Sequence, residues 1–170
     1  MNAVATSGGA QSPRNPSSRG GRGGRRTLAR LAAIQALYQL ELNTDLAPEA
    51  VVKEFAEHRL GREIDGDRYA KADEAFFADL VLGTASDREG LDEALSRSLA
   101  QEWPLWRLEA VLRAILRAAA YELLHRPDVP ARVAIDEYTS IAHAFFTGKE
   151  PALANGVLDR LARSERGAEF

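Results

Sequence analysis

The 170-residue chain offers few side chains of the kinds that carry covalent chemistry. It contains no cysteine, which removes disulfides, thiol nucleophiles and cysteine-held zinc. His58, His125 and His143 stand far apart, and none belongs to a metal-ligand pattern such as His-Glu-x-x-His. His125, beside Arg126, suits the end of a helix where cations are favoured. The neighbours Asp92-Glu93 and Asp136-Glu137 point to different sides of a helix, poor geometry for an acid/base pair. There is no phosphate loop, dinucleotide fingerprint or nucleophile elbow. What remains is recognition. A protein that is not an enzyme, with no cofactor and no metal, is expected.

Arginine is the residue type that supplies the recognition. Six of the 22 basic side chains (Arg14, Arg19, Arg22, Arg25, Arg26, Arg30) fall in the first 40 residues, where there is no acid. The first carboxylate is Glu41, and the rest of the chain holds 16 basic against 25 acidic side chains. A basic arm on an acidic body points to a polyanion reached by the arm. Within it, Arg19-Gly20-Gly21-Arg22-Gly23-Gly24-Arg25-Arg26 interleaves arginine with glycine pairs. In such segments guanidinium groups reach phosphates and stack on bases. Residues 1–24 have almost nothing to bury and are expected to be a disordered arm. A merely solubilising tail is the competing reading of the charge.

The elements that position these residues are helices. Leu31, Ile34, Tyr38 and Leu42 recur at helical spacing and predict a first helix over about 27–43. Pro48 suits the first turn of a second, which carries Val51, Val52, Phe55 and Leu60 and ends near Gly61. Residues 61–70, with Asp65-Gly66, read as a loop. A third helix carries Phe76, Phe77, Leu80 and Val81 and weakens near Gly83. Ser86-Asp87-Arg88-Glu89 has capping-box spacing for a fourth helix with Leu91, Leu95 and Leu99. Trp103-Pro104 forces a break. A fifth helix follows, its buried stripe running from Leu105 through Leu108, Leu112, Ile115 and Ala119 to Leu123. On its exposed flank a Glu109–Arg113 pair is worth about 0.3 kcal/mol.

Arg126-Pro127-Asp128-Val129-Pro130 ends that helix. A sixth spans about 131–146 with Ile135, Tyr138, Ala142 and Phe145 on one face. After a Thr147–Glu150 loop, Pro151 opens a seventh with Leu153, Val157, Leu158 and Leu161. No segment alternates as a strand does. An all-α fold with short connections is expected, organised as an arm (1–24) and a helical domain (25–166) with subdomains of roughly 25–100 and 101–166. No apolar run reaches the roughly 20 residues a bilayer requires, so a cytoplasmic protein without membrane association is expected.

Two features ask for more than packing. Asn155-Gly156 interrupts a good amphipathic helix, where glycine costs roughly 1 kcal/mol relative to alanine. For Gly156 close helix packing is the preferred reading over backbone approach to a ligand; for Asn155 neither is preferred. Tyr38, two turns beyond Arg30, reads as a base-stacking platform, as core with its hydroxyl at the surface, or as both.

Four segments in order together resemble the NusB family. Ala29-Arg30-Leu31-Ala32-Ala33-Ile34-Gln35-Ala36-Leu37-Tyr38 is similar to its opening helix. Ala114-Ile115-Leu116-Arg117 with Tyr121-Glu122-Leu123 resembles its central helix. Asp128-Val129-Pro130 with Val133-Ala134-Ile135-Asp136-Glu137 resembles its next turn and helix, and Asn155-Gly156-Val157-Leu158-Asp159 its closing motif. The resemblance covers roughly residues 25–163. It implies about seven helices in two packed small bundles. It also implies binding of boxA RNA together with the ribosomal protein NusE, in an RNA polymerase antitermination complex that reads through terminators in ribosomal RNA operons.

By family position, the RNA side comprises Arg25, Arg26, Arg30 and Tyr38, extended by Lys149 and Asn155; Arg22 joins them on the charge of the arm alone, since the glycine- and arginine-rich extension is not a general family feature. The partner docks on the fifth helix at Leu112, Arg113 and Arg117. Leu112 stands where the family often has an acid, and Leu153 where many members have an aromatic. A homodimer is compatible with such a docking surface. The alternatives are a module like the N-terminal domain of ribosomal RNA methyltransferases, which needs a cofactor domain that this chain does not show, and a helical protein-binding adaptor.

Overall fold

The computed structural model describes residues 22–60 and 72–170 of the chain. Among them are seven α-helices and no strand: α1 (Arg22–Leu42), α2 (Pro48–His58), α3 (Glu74–Ser86), α4 (Arg88–Ser98), α5 (Ala110–His125), α6 (Ala131–Phe145) and α7 (Glu150–Glu165). Most of the expected arm, and the loop expected over 61–70, lie outside the described residues. No helix is long and apolar enough to cross a membrane.

The fold is organised around α5. Its sequence is apolar on nearly every side, and the side chains from Ala114 to Ala120 are all buried. A helix apolar all round must be enclosed by others, and α5 packs against α1, α3, α4, α6 and α7. These helices lie on both sides of residue 100, and a single apolar cluster joins them. The smallness of Ala118, Ala119 and Ala120 lets neighbouring helices come close. One contact is set by glycine: a Cβ on Gly83 would stand 2.2 Å from the Tyr121 ring. The weak point seen in the third helix is therefore a close approach between α3 and α5.

Several local expectations are corrected. α1 begins at Arg22, earlier than the apolar stripe suggests, because Gly23 and Gly24 add no side chain to that stripe. Ser86 is the last residue of α3, so it cannot form a capping box; Asp87 caps α4 without a side-chain bond, its carboxylate engaged by His125 at 2.9 Å. α5 begins at Ala110, after a short 3₁₀ turn (Leu105–Arg107) that keeps Leu105 and Leu108 in the core. Phe145 is exposed, not part of the buried face of α6. Arg113 turns away from Glu109 to Glu41 on α1, because a half-buried cation gains more from an acid across the interface than from one on its own exposed flank.

Candidate nucleic-acid interface

The amino-terminal turns of α1 meet the start of α3, the end of α5 and the middle of α6, and charge holds that junction together. α3 starts there because Asp73 caps it, accepting from Phe76 N–H at 3.0 Å, while its own N–H donates to the Arg25 carbonyl. Three guanidinium groups surround the Phe76 ring: Arg26 at 4.6 Å, Arg126 at 5.0 Å and Arg30 at 5.1 Å from its centroid. The electron-rich faces of one aromatic ring thus help hold three cations near one another.

Arg30 is the innermost of the three, only 2% exposed. Its Nε and Nη2 donate to the Glu122 carboxylate, both at 2.9 Å, and Glu122 is fully buried. Glu137 of α6 lies 3.7 Å from the third nitrogen and accepts from Thr27 at 3.0 Å. Burial opposes the Arg30 charge, but the hydrogen bond and charge of Glu122 outweigh it and raise the guanidinium pKa. The fully buried Tyr138 hydroxyl is pushed well above the usual phenol range by burial first and then by Glu122. Arg126, held by Asp128 and Asp79, has its pKa raised, and Asp128 is correspondingly lowered.

This geometry sorts the residues singled out for RNA. Arg25 is exposed. Arg26 is half-buried, near Asp73 (3.9 Å) and Asp128 (3.7 Å). Arg30 is inside the protein, its donors turned to carboxylates, so a surface contact by Arg30 is corrected to an internal tie between α1, α5 and α6. The side chain of Arg22 lies outside what the structure describes. Tyr38 is half-buried on α1, Lys149 is exposed at the start of α7, and Asn155 is exposed on α7 within 3.5 Å of the Thr139 hydroxyl of α6. Among the described residues no hydrogen bond or ion pair joins Tyr38, Lys149 or Asn155 to the arginine junction. A Cβ on Gly156 would meet only the far end of Arg160, at 3.6 Å. Close packing therefore does not explain that glycine, and the helix face there is open to approach.

The opposite end of α1 forms a second charged junction. Glu41 accepts from Arg113 and lies 3.7 Å from Arg117, which also donates to Asp92 at 2.6 and 3.0 Å. α1 and α5 are thus clamped at both ends by pairs of reversed sign, Arg30–Glu122 and Glu41–Arg113. Leu112 is 2% exposed and belongs to the core, so a partner contact through it is corrected. Near the paired arginines the surface exposes Trp106 (73%), which the sequence reading did not single out as a surface residue; Leu42, expected in the apolar stripe of the first helix, is 65% exposed at its last residue, where the stripe runs out of the core. The sequence reading missed Glu122 as a buried acid, although its place one heptad after Ile115 of the buried stripe could have shown it; Phe76 gave no sign of its three cations.

Comparison with known proteins gives the following. The chain matches the NusB family over residues 27–163. It is 49% identical over 142 residues to the transcription antitermination protein NusB of Nitrobacter hamburgensis, covering 84% of this chain and 88% of that protein. It is 48% identical over 155 residues to that of Agrobacterium fabrum, covering 91% and 92%. Among solved structures it resembles Thermotoga maritima NusB with a TM-score of 0.70 and 32% identity, over 85% of this chain and 96% of that one. A structure of the antitermination factors NusB and NusE with double-stranded RNA shares the fold, with a TM-score of 0.66 at 23% identity over 82% and 97%.

Proposed function

The chain belongs to the NusB family of transcription antitermination proteins, and from that premise we propose that it binds the boxA element of nascent RNA jointly with NusE and promotes read-through in ribosomal RNA operons. The role is one of binding, not catalysis. The observation that supports it most is the arginine junction at the start of α1, where Arg25, Arg26 and Arg30 lie at a corner of four helices.

In this reading Arg22, Arg25 and Arg26 contact phosphates, and Arg30 positions them by fixing the first turns of α1 to α5. Tyr38 stacks on a base, and Lys149 and Asn155 extend the surface across α7, where the open Gly156 lets the backbone approach the strand. Phosphate contacts position the RNA without reading it, so boxA selectivity comes from base contacts made together with NusE. NusE docks on the other end of α1, where Trp106 and Leu42 offer apolar anchors beside Arg113 and Arg117. The protein works in the cytoplasm within an RNA polymerase antitermination complex, and the same docking face pairs two copies when NusE is absent.

Binding of labelled boxA RNA and a scrambled control, each with and without NusE, tests this. Tighter binding of boxA, strengthened by NusE, is expected. Equal weak binding of both RNAs under all conditions would overturn it.

A further inference from the structure

We propose that Arg126 joins Arg26 in holding one RNA phosphate, at the place taken by the Asp128 carboxylate, and that Asp128 turns aside when the RNA arrives. The inference rests on the RNA-binding reading above and adds to it a contact from the end of α5. The geometry is that of an anion between two cations. Arg126 donates from Nε to Asp128 Oδ1 and from Nη2 to Oδ2, both at 3.0 Å, and Arg26 Nη2 stands 3.7 Å from the same Oδ2. A guanidinium edge takes two carboxylate oxygens as it takes two phosphate oxygens. Phe76 fixes the spacing of the two arginines, its ring centroid lying 4.6 Å from Arg26 and 5.0 Å from Arg126. The hydrogen bonds of Arg126, and in smaller part the charge of Arg26, hold the Asp128 pKa below the usual carboxylate range.

Arg26, Arg30 and Arg126 each have a carboxylate beside them, so a phosphate takes one of these cations only in exchange for an acid. Four of the five acids at the corner are fixed. Glu122 is fully buried, and Asp73 caps α3 through the Phe76 N–H. Glu137 accepts from Thr27, and Asp79 from the Tyr121 hydroxyl at 2.7 Å. Asp128 differs from all of these. Its side chain is 51% exposed, it lies on the link between α5 and α6, and its hydrogen bonds come from Arg126 and its own amide. Rotation of that side chain uncovers the Nε–Nη2 edge of Arg126 beside Arg26, while Asp79 keeps Nη1 in place at 3.0 Å. An ion pair so exposed is worth at most a factor of about five, so the exchange opposes binding only slightly.

The test is fluorescence anisotropy of labelled boxA RNA and its scrambled control with the full chain and NusE, over a series of salt concentrations. Asp128→Asn should bind both RNAs about fivefold tighter. Arg126→Gln should weaken both and lower the salt slope by about one, and Arg126→Lys should keep the slope. A partly unfolded sample lowers the apparent affinity without lowering that slope, so the readout separates contact from fold. Unchanged or weaker binding by Asp128→Asn would overturn the proposal, since it marks Asp128 as a structural tie. So would a wild-type slope in Arg126→Gln. Phosphate contacts carry no sequence preference, which keeps the two readings apart. Equal gains on both RNAs without a boxA preference overturn the boxA reading alone; a boxA preference without the Asp128→Asn gain overturns this inference alone. Absence of binding to either RNA overturns both.

Discussion

Replacing Glu122 with leucine probes the tie that holds the RNA-facing end of α1. The change removes the carboxylate that accepts from two Arg30 nitrogens and leaves a guanidinium in a site that is 3% exposed. Breaking a buried pair from one side costs about 3–5 kcal/mol, because the remaining charge is left uncompensated. Glu137, 3.7 Å from Arg30 and 26% exposed, takes over part of the partnership, which places the cost at the lower end, about 3 kcal/mol. For a chain of this size that corresponds to a loss of about 6–12 °C in Tm. The double variant Arg30→Leu/Glu122→Leu puts two apolar side chains of similar volume in contact and should recover most of the loss.

Urea denaturation of the four proteins reads the cycle, and RNA binding at two salt concentrations reads the function. If Arg30 acts by positioning, the double variant regains RNA affinity along with stability and keeps the wild-type salt slope. A Glu122→Leu cost under about 1 kcal/mol would refute the reading of a buried tie. A stable double variant that binds RNA weakly, with its salt slope lowered by about one, would show that Arg30 touches phosphate directly.

Three further perturbations address the fold and the α7 face. Gly83→Ala drives a methyl into the Tyr121 ring and disturbs the 2.7 Å Tyr121–Asp79 bond, so calorimetry should show a loss of about 1–3 kcal/mol. Gly156→Ala meets only Arg160 and should stabilise by about 0.5–1 kcal/mol while weakening RNA binding; unchanged binding would remove the backbone-approach reading. Because Arg126 lowers the folded-state pKa of Asp128, the stability it supplies is present above its ordinary value of 3.8 and lost as pH falls through the lowered one. Asp128→Asn should therefore flatten the acid limb of a stability–pH curve measured by urea denaturation.

The helices were legible because their apolar stripes repeat at helical spacing, and Pro48, Pro130 and Pro151 mark three starts. Boundaries set by something other than the stripe were not. Ser86 has the spacing of a capping residue, yet α3 continues through it, since Phe77, Leu80, Val81 and Thr84 keep that helix buried to its end. Leu105 and Leu108 fit the period of α5 but reach the core from a 3₁₀ turn and the link after it, where burial needs only that the side chain point inward.

The candidate site was legible as a region more than as an arrangement. Arginine content pointed to the start of α1, but Arg25 and Arg30, so close in sequence, fall on opposite sides of the protein surface. Which of them is solvated depends on Glu122, 92 residues away. Likewise Arg113 and Arg117 looked available on a helix flank until Glu41 and Asp92 were brought against them.

The most direct test of the central claim is terminator read-through in a reconstituted transcription reaction on a template with a boxA leader. Adding this protein together with NusE and the remaining antitermination factors should raise read-through on that template, and not on one with boxA scrambled. Equal read-through on both templates, with or without the protein, would contradict the account.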